Sequence, residues 1–201
     1  MNLKEILESS DRRRREALDI LSTLELMKTW GKYGRPVLVG AVAYDLVLDC
    51  DIDMEIYCPT LKIEDGFEVF SRLCGKKSDL VKGCSFQNHL GGPDGALYWK
   101  LSIVKDGIPW KVDMWSAPED YPLPRSEHFV KPMIEALTDE TRKAILYLKW
   151  HRRMDPEIEC PSIDLYRAVM KGGVRTPSDL KSWLRENKMG ELSSWIPGRD
   201  D

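Results

Sequence analysis

Apolar residues at Leu3, Ile6 and Leu7, and again at Leu18, Leu21 and Leu24, recur at helical spacing, predicting an N-terminal helix with a break near Ser9 and Ser10. After Gly31 and Gly34 the short apolar run Val37 to Val39 predicts a strand, and residues 41–48 predict a helix starting directly after Gly40. Over residues 51–58 the period changes to two. One face then carries Asp51, Asp53, Glu55 and Tyr57, the other Ile52, Met54, Ile56 and Cys58. Pro59 ends that strand, and Phe67, Phe70, Leu73 and Cys74 predict a helix.

The GGPDG and KDG segments are turn signals, placing strands near 86–90, 96–104 and 109–115 in an antiparallel meander. Leu97, Trp99, Leu101 and Ile103 share one face of the second. In the third, Trp110, Val112 and Met114 point one way and Lys111, Asp113 and Trp115 the other. Pro109 has no N–H to donate and belongs at that strand's start. From Pro132 onward the pattern is helical. Thr138 caps a helix reaching Met154 before Asp155-Pro156, Ser162 caps a second closed by Gly172-Gly173, and Thr176-Pro177-Ser178-Asp179 opens a third ending near Asn187.

Length and composition add a frame. With 201 residues and 42% hydrophobic content, the chain can bury a core and suits one domain with an appended lobe. The expected division is an N-terminal helical segment (1–34), a mixed-sheet core (35–118) and a C-terminal helical lobe (119–201). No apolar run approaches the ~20 residues that span a bilayer, and MNLKEILESSDRRRRE has no apolar signal core, so a cytoplasmic protein without membrane contact is expected. Five widely spaced cysteines without a Cys-x-x-Cys pair fit reduced thiols, and a zinc pair from Cys84 and His89 lacks a second ligand pair. The net charge of −3 argues against a generic polyanion binder, although four arginines crowd residues 12–15.

The candidate chemistry lies on the acidic strand. Carboxylates about 7 Å apart along one strand face repel each other, and a bound cation relieves that repulsion; a solvated strand face is the plainer alternative. A strand, a tight turn at Gly40 and a helix N-terminus directly after it would favour a phosphate.

Three features converge: a glycine at a strand-to-helix turn, Asp51 and Asp53 on the next strand, and Asp113 between apolar neighbours on a later one. Written out, they are Val39-Gly40-Ala41, nine residues, Asp51-Ile52-Asp53-Met54, then Val112-Asp113-Met114. This order and spacing over residues 36–116 resembles the nucleotidyltransferase superfamily related to DNA polymerase beta. The resemblance implies an α/β (α+β) fold, a mixed sheet flanked by helices. It also implies transfer of a nucleoside monophosphate from a nucleoside triphosphate to a hydroxyl-bearing acceptor. Two Mg²⁺ ions, or Mn²⁺, would be held by Asp51, Asp53 and Asp113, and the triphosphate by Gly40, Ala41 and Lys111. Asp113 would also help deprotonate the acceptor.

Ala41 departs from the small hydroxyl residue or glycine usual after the glycine, so a side-chain donor to phosphate is lost. Lys111 reads more readily as a salt-bridge partner of the acids than as a phosphate ligand. Glu55 is a candidate acceptor-binding group, Tyr57 and Trp115 candidate cleft walls, and Arg142, Lys143, Lys149 and Arg152 an exposed helix face. The implied acceptor is a small molecule or a protein, with nucleic acid disfavoured by charge. The alternatives are a catalytically silent binding protein of the same fold and a metal-dependent phosphodiesterase.

Overall fold

The computed structural model describes residues 1–77, 79–187 and 195–198. Helix α1 (Leu3–Thr23) opens on a capping box. The Asn2 side chain accepts the Glu5 N–H at 3.0 Å, and the Glu5 carboxylate accepts that of Asn2 at 2.9 Å. It runs through Ser9 and Ser10 without the expected break. The reason is packing at both ends: Ile6 joins one apolar cluster while Ala17, Ile20 and Leu21 join another, and this burial outweighs the weak helix preference of two serines. Helix α2 (Leu26–Trp30) follows a left-handed residue, Glu25.

Strand β1 (Arg35–Val39) ends at Gly40, and helix α3 (Gly40–Ala43) is a single turn, shorter than the helix expected to Leu48. Asp45 takes a positive φ of 59° and breaks it. Beyond that point Leu46 and Leu48 bury in one cluster and Val47 in the other, so these apolar residues serve an extended segment between two cores.

Strand β2 (Asp51–Cys58) coincides with its expected span, and helix α4 (Ile63–Lys76) follows. Strands β3 (Val81–Asn88), β4 (Leu97–Lys105) and β5 (Ile108–Pro118) form the expected meander, β3 starting five residues earlier than its sparse apolar pattern suggested. The five-stranded sheet has the order β1-β2-β5-β4-β3. β2 and β5 run parallel and the remaining neighbours antiparallel.

Helices α1, α2 and α4 supply residues to the cluster on the sheet's apolar face. Ile52, Met54, Leu97, Trp99, Leu101, Val112 and Met114 are at most 1% exposed. Trp30 and Trp99 have their indole N–H groups satisfied: Trp30 donates to Met114 Sδ and Trp99 to Ser116 Oγ, each at 3.1 Å. Gly66 stands inside α4 because the Trp99 ring occupies the place of its missing side chain.

The second cluster gathers α5 (Glu127–Ala136), α6 (Asp139–Met154), α7 (Ser162–Met170) and α8 (Pro177–Glu186). α5 was not expected before Pro132, which lies in its second half; its start is held instead by an acid from the sheet, described below. α6 to α8 match the expected spans, with capping hydrogen bonds at Thr138 and Thr176; Ser162 is not the expected cap but the first residue of α7 after Pro161, its hydroxyl accepting from Arg152 instead. The end of the expected lobe, 188–194 and 199–201, lies outside the described residues. All five cysteines are free, and among the described residues no helix is long and apolar enough to cross a membrane.

An exposed helical Gly→Ala change gains up to about 1 kcal/mol of helix propensity. Gly66→Ala is expected to do the reverse, destabilising the protein by about 2 kcal/mol in urea unfolding because a methyl group collides with Trp99. A neutral or stabilising result would refute this packing.

Candidate active site

The parallel pairing of β2 with β5 sets Asp53 directly beside Asp113, Asp51 beside Lys111 and Glu55 beside Trp115. Sixty residues of sequence are thereby reduced to one interstrand spacing of about 4.8 Å between backbones. Their side chains lie on the face opposite the sheet's apolar core. Antiparallel pairing of β1 with β2 puts Val39 opposite Asp53, so the chain turns at Gly40 immediately above that carboxylate. Gly40 has φ +68°, and a side chain there would strike the Asp53 carboxyl group. A left-handed turn and close approach both require glycine at this position.

Asp113 is 9% exposed and committed on both oxygens: the Tyr98 hydroxyl donates to Oδ1 at 2.5 Å and the Lys111 ammonium to Oδ2 at 2.6 Å. Lys111 also lies 3.8 Å from Asp51. Burial alone would lower the Lys111 pKa, but its hydrogen bond to Asp113 and the charges of Asp113, Asp51 and Asp53 raise it. Asp53 is pushed up to about 6 by burial, then by the neighbouring Asp51 and Asp113 charges. Asp51 rises for the same first reason, then through Asp49, with Lys111 opposing. One ammonium therefore does not neutralise the cluster. Among the described residues no three His, Cys, Asp or Glu side chains are gathered into a ready-made coordination shell, because the Lys111 ammonium stands among these acids.

The helix face expected to be exposed divides. Lys143 is exposed, but Lys149 is 3% exposed and donates to the Leu46 carbonyl at 2.8 Å. Burial brings its pKa down to about 8, with Asp49 and Asp51 pulling the other way. Arg142 is held by the Asp45 carbonyl and Asp11, Arg152 by the Cys160 carbonyl and Ser162, and Arg153 by Asp49. Lys149 and Tyr98 are the two groups whose placement sequence reading missed. The i, i+4 step from Ile145 to Lys149 was the signal for the first; Tyr98 needed the β4–β5 register. Cys84 hydrogen-bonds with Cys74 while His89 contacts Gln87 and Asp94, so the considered zinc pair is not assembled.

Glu55 extends the acidic row but serves α5. Its two oxygens accept the backbone N–H groups of Ser126 and Glu127 at 2.9 and 3.0 Å, and the Tyr57 hydroxyl at 2.6 Å. Beside it a cavity of about 320 Å³ is walled by Tyr57, Trp115 and Tyr121 among others.

No protein-family model matches the chain, and no curated protein matches it. Solved structures do. The complex of Cid1 with its short product ApU superposes with a TM-score of 0.59 at 15% identity, covering 84% of this chain and 53% of that one. The poly(A) polymerase complex GLD-2–GLD-3 gives 0.61 at 9% identity, over 90% and 61%. A STING-associated CdnE c-di-GMP synthase from Capnocytophaga granulosa gives 0.52 at 13% identity, over 88% and 67%. The chain spans about half the length of the uridylyl transferases it matches. At these identities the likeness is one of fold.

The raised Asp53 pKa has a stability consequence with a definite sign. Well below pH 4 the carboxyl is protonated in both folded and unfolded chains and costs almost nothing. As pH rises from about 4 to 6 the unfolded chain ionises first, so folding loses free energy, and the loss is level above 6. Asp53→Asn is therefore expected to be more stable than wild type by about 2 kcal/mol at pH 8 and equal to it at pH 3.5, in urea titrations with EDTA present. An equal difference at both pH values would remove the charge explanation.

Proposed function

Because the chain has the nucleotidyltransferase fold, we propose that it is a metal-dependent nucleotidyltransferase moving a nucleoside monophosphate from a nucleoside triphosphate to an acceptor hydroxyl. The observation that carries this reading is the in-register pairing of Asp53 with Asp113 under the Gly40 turn.

The donor set fits a divalent cation. Asp51, Asp53 and Asp113 offer only oxygen donors, which suits a hard ion such as Mg²⁺, and after burial the charges of Asp51 and Asp113 help to raise the Asp53 pKa. These three residues would hold it. Bound there, it would supply positive charge to the phosphoryl oxygens in transit.

The remaining roles belong to the chain. The backbone at Gly40 and Ala41 meets a phosphate oxygen through N–H groups, which Ala41 retains despite lacking a hydroxyl. Lys111, on a flexible stem, exchanges its carboxylate partners for phosphate. Lys149 adds positive charge from the α6 side. Asp113 takes the proton of the attacking hydroxyl as the new oxygen–phosphorus bond forms; the bond between the α- and β-phosphates breaks and pyrophosphate leaves. Ala41 favours a second reading, a silent binding protein of the same fold.

Thermal shift with a non-hydrolysable triphosphate, with and without Mg²⁺, separates these readings. A Mg²⁺-dependent rise of a few degrees, absent in Asp53→Ala, is expected of the transferase. If the rise persists in Asp53→Ala, these acids are not the site. If it is lost but α-labelled triphosphate is never transferred or hydrolysed, the binding protein stands; free monophosphate without a labelled acceptor identifies a phosphodiesterase.

A further inference from the structure

The cavity beside the acids has a chemistry of its own. Its walls are the aromatic rings of Tyr57, Trp115 and Tyr121, with small residues behind them, and its polar groups are Glu55, Asp94 and Ser126. Glu55 is two residues beyond Asp53 on β2, and Trp115 two beyond Asp113 on β5, so the cavity begins about 7 Å from the carboxylates on the same face. Its 320 Å³ suits one compact molecule.

Four features around the cavity that could attract an anion, the start of α5, Arg125, Arg35 and His89, are each engaged. The N-terminus of α5 is capped by both oxygens of Glu55. Arg125 stacks on the Tyr57 ring 4.6 Å from its centroid and is held by the carbonyls of Glu119 and Tyr121 and by Glu127. Arg35 lies over the same ring at 5.0 Å and pairs with Glu127 at 2.7 Å. His89, over Trp115 at 5.4 Å, lies 3.4 Å from Asp94. What faces a ligand is therefore aromatic, with the half-exposed Asp94 carboxylate at its edge.

We infer that this cavity binds the acceptor, and that the acceptor is a compact ring-bearing alcohol, neutral or cationic, not the phosphate-bearing end of a polynucleotide. Aromatic faces and the half-exposed Asp94 carboxylate attract a stacked ring and a cation, whereas a phosphodiester would be brought against Asp94 and the acid row, where Lys111 is already committed to Asp113 and, in the transferase reading, to the triphosphate. A ring seated against Trp115 lies two residues along β5 from Asp113, which leaves its hydroxyl free to turn toward that carboxylate. The assignment of the ligand as acceptor rests on the transferase reading; the class of ligand the cavity takes does not.

The test uses three probes of matched shape: tyramine, 4-hydroxyphenethyl alcohol and 4-hydroxyphenylacetate, titrated by ligand-observed NMR at low salt and pH 7.5. Tyramine is expected to bind about fivefold more tightly than the acid, with the alcohol between them. Asp94→Lys, a surface change, should narrow that ratio about threefold, and Leu123→Trp should abolish binding by filling the cavity mouth while the thermal melt shows a folded protein. The inference is overturned if none of the probes binds, if the acid binds as tightly as tyramine, if a pentauridylate displaces tyramine, or if folded Leu123→Trp binds tyramine as wild type does. Failure of the transferase reading looks different: the Mg²⁺-dependent triphosphate shift survives in Asp53→Ala while the probe ranking stands.

Discussion

The parallel alignment of β2 with β5 is the constraint on which the rest of the structure depends. Parallel neighbours need a long crossover, and here it comprises α4, β3 and β4. It delivers Asp113 to Asp53 in register, and a slip of one residue would send Asp113 into the apolar face and Val112 into the cleft. The core enforces the register. Val112 and Met114 are wholly buried on one side of β5, as Ile52, Met54 and Ile56 are on β2, so the apolar set holds the polar set in place.

Around that alignment the chain concentrates charge it does not fully neutralise. Lys111 bridges Asp51 and Asp113, Tyr98 donates to Asp113, and Asp53 is left with a carboxyl poised near 6. Such a cluster opposes folding and persists only where packing elsewhere outweighs it, as catalytic and ion-binding groups commonly do. Lys149 is the mirror case on the helical side, a buried ammonium whose proton is loosened. The two elements facing the cleft thus carry opposite and individually unfavourable charges.

Much of this was legible in the residues. Period-two alternation placed Asp51, Asp53 and Glu55 on one face, and turn signals gave the meander, because those strands are buried on one side and wet on the other. The helix after Gly40 was overlong, because Leu46 to Leu48 are apolar for a reason local pattern does not reveal: they thread between two cores. α5 escaped because its start depends on Glu55, a tertiary cap seventy-one residues away in sequence, and because Pro132 reads as a boundary. Lys149 reads as solvated by its charge, although the i, i+4 step from Ile145 puts it on the buried face, where the Leu46 carbonyl receives its ammonium.

α1 was at first divided in sequence reading, yet its continuity governs how the molecule can be dissected. The same 21-residue rod contributes Ile6 to the helical cluster and Ala17, Ile20 and Leu21 to the sheet cluster. Its arginines reach across the gap: Arg14 meets the Val42 carbonyl and Asp45, while Asp11 holds Arg142 of α6. The helix acts as a splint. A fragment beginning at residue 35 would open a greasy furrow along the sheet, and a fragment of the later helices would lose its lid. Each half so cut exposes apolar residues that α1 covers in the whole chain.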